Sequence, residues 1–90
     1  MDYKMTDKNT IVTIKIGTVI QGDGGVSKGA TILNLKPSNP DCDVILCYAP
    51  ESTYHPFVVW TYNHATGGCV WGDYFDNIND AAARFAERTH

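Results

Sequence analysis

The chain has no long hydrophobic run. No stretch approaches the roughly 18 consecutive apolar residues of a membrane-spanning helix, so a helical anchor is not expected within it. Its first ten residues, MDYKMTDKNT, lack the apolar centre of a secretion signal, and the expected location is the cytoplasm. Cysteine is scarce and odd in number. Cys42, Cys47 and Cys69 cannot all pair within one chain, and reduced thiols are the simplest reading. Positive charge is also short: seven Lys and Arg against ten Asp and Glu leave a net charge of −3. A strong basic patch, the usual mark of a nucleic-acid binder, is therefore missing. The imbalance is uneven, because residues 1–40 sum to +2 and residues 41–90 to −5. The acidic half suits a basic partner surface, although −3 is too small for nucleic-acid mimicry.

Two further absences concern organisation and motif. There is no internal repeat and no linker long enough to split 90 residues, so one domain is expected over residues 10–90, after a polar, aperiodic tail at 1–9. The glycine-rich stretch GDGGVSKG, residues 22–29, lacks the Gly-Lys-Ser/Thr ending and the following helix of a phosphate-cradling loop. It reads as a turn instead.

What is present is strand chemistry. Thr10 to Gln21 is mostly β-branched, with Gly17 marking a bulge or bend. Ala30 to Leu35 and Asp43 to Tyr48 read as further strands, with Pro37 and Pro40 bracketing a loop between them. In the latter strand, alternation puts Val44, Leu46 and Tyr48 on one face and Ile45 and Cys47 on the other. Phe57 to Asn63 and Cys69 to Phe75 form a hairpin through HATGG, whose glycines allow a left-handed turn. A helix closes the chain. Asn77 is its N-cap, Asp80 sits in its first turn, and Ile78, Ala81, Ala82 and Phe85 make one apolar stripe. Arg84 and Arg88 suit its C-terminal end. The expected fold is thus α+β: an antiparallel sheet of about five strands with one C-terminal helix packed on one face.

The run WTYNHATGGCVW is similar to the second hairpin of the immunoglobulin-binding domain of protein G, chiefly over Trp60-Thr61-Tyr62 and Ala65-Thr66. It departs at Gly67, Gly68, Cys69 and Trp71, and the chain lacks that domain's central helix, so no antibody binding is carried over. The resemblance implies a register in which Tyr62 opposes Cys69 and Trp60 opposes Trp71. One face then holds Val58, Trp60, Tyr62, Cys69, Trp71 and Asp73. The other holds Phe57, Val59, Thr61, Val70, Gly72 and Tyr74. From Pro56 onward, GGCVWGDYF and the helix ending FAER also resemble small proteins of phages and bacterial mobile elements. That resemblance implies a small protein acting in an infected or carrier cell, by binding and blocking a host protein or a small signalling molecule.

One helix covers one sheet face, yet both faces of the hairpin are apolar or aromatic. The N-terminal strands or a second copy must cover the other, or it stays open as a binding surface. The functional expectation follows: a non-catalytic binding protein that takes a protein partner, a basic one fitting best. Trp60, Tyr62 and Trp71 are the anchors, Asp73 and Asp76 an acidic rim, and a homodimer through the same surface fits equally. The alternative is a small-ligand binder or minor enzyme with a pocket formed at subunit contacts around Tyr54, His55 and His64. Other chemistry is weaker. A zinc site from Cys42, Cys47, His64 and Cys69 has its closest cysteine pair on opposite strand faces. A Cys69–His64 nucleophile lacks a nearby positive charge to activate the thiol. Asp73, Asp76 and Asp80 each have a local role in a strand, a turn and a cap. Stacking of single-stranded nucleic acid on Tyr54, Trp60, Tyr62 and Trp71 is opposed by the acidic charge. No cofactor or metal is expected.

Overall fold

A computed structural model describes residues 14–20, 28–50 and 55–89. Four strands, β1 (Thr31–Asn39), β2 (Cys42–Tyr48), β3 (Phe57–Asn63) and β4 (Cys69–Phe75), form one antiparallel sheet in the order β1-β2-β3-β4. The helix α1 (Ile78–Glu87) follows and packs on β2, β3 and β4. The α+β class and the closing helix match expectation; among the described residues there are four strands, not five.

Among the described residues, the β-branched N-terminal run is not assigned as a named strand. Within residues 14–20, Val19 alone makes a bridge, to Thr31. Gly17, at φ +93°, bends the chain where the sequence suggests a bend, and Thr18 N–H bonds back to Lys15 O at 3.0 Å. After that turn the segment still pairs with the start of β1: Gly17 N–H donates to Ile32 O at 2.7 Å, Ile32 N–H to Thr18 O at 2.8 Å and Ile20 N–H to Ala30 O at 2.8 Å. The 1–9 tail, the first part of that run and most of the 22–29 turn lie outside the described residues.

Pro37 does not end β1. The strand runs through it to Asn39, because β1 is at the edge of the sheet and its outward positions need no ladder donor. The turn falls at Pro40 and Asp41, where Asp41 N–H bonds to Asn39 Oδ1 at 2.8 Å. In the β3–β4 turn, Asn63 Oδ1 accepts from Ala65 N–H at 2.8 Å, and Gly67, at φ +73°, closes the loop.

The core has two layers, one on each sheet face. On the helix face, Val44, Leu46 and Val59 pack with Ala81 and Phe85, flanked by Phe57 and Phe75. On the far face, Ile45, Cys47, Val58, Trp60 and Tyr62 pack with Ile32, Ala30, Ile14 and Ile20. The N-terminal segment therefore covers the second face, one of the two coverings the sequence allows.

The helix begins as its sequence dictates. Asn77 Oδ1 accepts from Asp80 N–H at 2.9 Å, and Asn77 Nδ2 donates to Asp80 Oδ2 at 3.0 Å. Its buried stripe differs, however. Ala81, Phe85 and Arg88 face inward, while Ile78 and Ala82 are exposed. At its end, Lys36 Nζ donates to Ala86 O at 3.2 Å and lies 4.9 Å from the Phe85 ring centre. Ser38 Oγ donates to Thr89 O at 2.9 Å. These contacts tie the end of α1 to β1.

Candidate functional site: a displayed tryptophan beside a mixed-charge cleft

The two tryptophans do not oppose each other. Tyr62 pairs with Cys69 as expected, and Thr61 with Val70, but Val59 pairs with Asp73. Trp60 thus faces two residues, Trp71 and Gly72, in a β-bulge. Gly72 is required at this point, since a Cβ there would lie 2.6 Å from Trp60 Nε1 and 2.8 Å from Tyr74 Cε1. Trp71 takes the other bulge position with φ +56°, the only non-glycine residue with positive φ among those described. Such a position usually belongs to glycine. A side chain held there costs about 1–2 kcal/mol.

The bulge reverses the alternation expected for the rest of β4. Tyr74 comes to the far face, where its ring meets Trp60 edge-on at 6.0 Å. Asp73 comes to the helix face, where Arg84 Nε and Arg88 Nη1 both donate to its Oδ2, at 2.9 and 3.1 Å. The face assignments of Trp71, Asp73, Gly72 and Tyr74 made by simple alternation are therefore overturned.

Burial then separates the expected anchors. Trp60 is 2% exposed and Tyr62 4%, both inside a single subunit, so neither presents its ring to a partner. Trp71 is 67% exposed, with Val70 beside it at 47%. The expected acidic rim also changes. The charge of Asp73 is held between two guanidiniums. Asp76 pairs instead with His55, Oδ1 to Nδ1 at 2.6 Å, in a contact that joins the start of β3 to the corner before α1.

A cleft of about 470 Å³ adjoins Trp71, lined also by Gly72, Asp73, Arg84, Glu87, Arg88 and Thr89. Arg88 is buried and forms its inner wall. It donates from Nη1 to Val59 O at 2.8 Å and from Nη2 to Thr61 Oγ1 at 3.0 Å, besides Asp73. Burial lowers its pKa, and the Asp73 carboxylate acts in the opposite sense. Arg84, half-exposed, has its pKa raised by its hydrogen bond to Asp73 and by that group's charge. Sequence reasoning missed this network. Its available signal was the i, i+4 spacing of Arg84 and Arg88, which places both on one helix side.

Within one subunit the residues of the alternative pocket are not brought together. His55 precedes β3 and His64 follows it, so a seven-residue strand at about 3.3 Å per residue holds them more than about 20 Å apart. Tyr54 lies outside the described residues. His64 instead pairs with Asp43, Nε2 to Oδ2 at 3.2 Å, and meets the Tyr62 ring edge-on. Its Nδ1 is buried without a hydrogen-bond partner. Burial, then the Cys69 and Asp43 charges, push the Tyr62 phenol pKa up. Burial, then Cys69, likewise push up the Cys47 thiol. A thiol held protonated in the core is not a nucleophile. Among the described residues, no group of three or more His, Cys, Asp or Glu is placed to hold a metal ion.

Comparison with known proteins finds no matching family model, curated sequence or solved structure. The likenesses to the protein G hairpin and to phage-encoded proteins therefore rest on the quoted residues alone.

Proposed function

We propose that this chain is a non-catalytic binding protein whose contact with a protein partner is centred on Trp71. The observation that carries the reading is the coincidence of two costs on one residue: a large ring left 67% exposed, on a backbone held at φ +56°. Stability alone favours glycine there. Costly backbone conformations persist where they serve a function, and tryptophan is the residue type most enriched in binding hot spots. Trp60 and Tyr62, the other expected anchors, belong to the core on the far sheet face. Self-association through the same surface remains one form this binding can take.

The test uses the full chain and its Trp71→Ala variant as baits in extracts of the native host, with light scattering on both. A partner, or a homodimer, that depends on Trp71 supports the reading. Binding that survives in a folded Trp71→Ala chain refutes it. Unfolding of that variant, seen by circular dichroism, refutes it too, by assigning Trp71 a core role.

A further inference from the structure

We infer that the cleft beside Trp71 receives a carboxylate carried next to an apolar or flat group, as an acidic segment of a partner protein would present it. This rests on the protein-binding reading above and adds the chemistry of the contact.

The inference follows from which charges in the cleft are already committed. Arg88 is 5% exposed and directs its donors to Val59 O, Thr61 Oγ1 and Asp73 Oδ2. Asp73 Oδ2 accepts from both arginines, so the charge of this carboxylate is balanced by two guanidiniums. Arg84 differs. Its Nε is fixed on Asp73, which orients the guanidinium plane. Its Nη1 lies 3.6 Å from Glu87 Oε1 in an ion pair, longer than a full hydrogen bond. Glu87 is itself 72% exposed, and an ion pair so exposed is weak. The terminal edge of Arg84 is thus an oriented, charged two-pronged donor lining a cleft, and that shape matches a carboxylate. Trp71 supplies the apolar wall alongside.

A cationic ligand fits less well. A cation at Asp73 or Glu87 would sit beside the Arg84 guanidinium, which already pairs with both carboxylates. The chain's net charge of −3 acts mainly at longer range. Salt screens it beyond about 8 Å, so it slows encounter more than it opposes the contact.

The test titrates three small probes into the full ¹⁵N-labelled chain: N-acetylphenylalanine, its carboxamide and phenethylamine. The Trp71 indole and Arg84 Nε–H resonances are followed. The acid should shift both and saturate, with the amide binding about tenfold more weakly, as loss of a charge-assisted bond requires. Arg84→Gln should reduce the acid to the level of the amide. Glu87→Gln, which removes a competing carboxylate, should tighten acid binding about twofold. Three results overturn the inference: no response to the acid, equal or stronger response to the amine, or acid binding unchanged in Arg84→Gln. If the probes fail while partner capture still depends on Trp71, only the carboxylate assignment falls. If capture ignores Trp71, the binding reading itself falls.

Discussion

Replacing Trp71 by glycine and, separately, by alanine isolates the backbone cost at the bulge. Both substitutions remove the indole, so both lose the same side-chain contacts from a residue already 67% exposed. They differ only in the backbone. In an ordinary strand, alanine is more stable than glycine by about 0.5–1 kcal/mol, because glycine loses more freedom on folding. At φ +56° alanine keeps a steric cost of about 1–2 kcal/mol that glycine escapes. The two effects oppose, and the strain is the larger. The glycine variant should therefore be the more stable of the pair by about 0.5–1 kcal/mol, an inversion of the usual order. Urea unfolding followed by circular dichroism measures it, and buried Trp60 gives an independent fluorescence report on the core. For a domain this size the gap corresponds to a few degrees in Tm. Both variants should lose partner binding equally. An alanine variant as stable as the glycine one, or more so, would show that residue 71 is not held in a left-handed conformation. Trp71 would then carry no backbone cost for a binding role to explain.

Other substitutions test the supporting structure. Gly72→Ala should destabilise the fold by about 1–3 kcal/mol by overpacking, since its Cβ meets the Trp60 indole; thermal unfolding reads this out. Arg88→Met should cost about 2–4 kcal/mol, leaving Val59 O and the Thr61 hydroxyl buried without their donor. Arg88→Lys should recover little of that, because an ammonium cannot reach three acceptors in one plane. Stability should also fall at alkaline pH. The folded state holds the Cys47 proton more tightly than the unfolded chain does, so its contribution is complete below the unfolded thiol's pKa and is lost as pH rises beyond it. Urea midpoints should be flat to about pH 8.5 and then fall, at up to about 1.4 kcal/mol per pH unit. Cys47→Ala should remove that slope between pH 8.5 and 10, below the range where the raised Tyr62 phenol adds its own loss of the same sign.

Much of the fold is legible in the sequence because strand periodicity and caps are local signals. The bounds of β3 and β4 and the Asn77 cap of α1 follow from residues close together in the chain, and the hairpin resemblance implies the Tyr62–Cys69 pairing. The bulge does not, because a Trp-Gly pair inside an alternating run looks like two ordinary strand positions. Only the packing of Gly72 against Trp60 reveals that the ladder skips. Missing that one residue moves Asp73 and Tyr74 to the wrong faces and hides the Arg84–Asp73–Arg88 network. It also makes Trp71 seem to belong with Trp60. Arg88 was legible as a helix-end cation, but its charge hid its burial, since guanidinium groups enter a core only when acceptors converge on them. Within one subunit, β3 stands between His55 and His64.

The whole account turns on the contrast between the two indoles in one folded subunit. A soluble gadolinium chelate added to the unmodified protein, with the ring-proton relaxation of both tryptophans followed by NMR, measures that contrast without any mutation. Strong broadening at Trp71 with little at Trp60 is the predicted result. Comparable broadening of both rings, or a shielded Trp71, would contradict it.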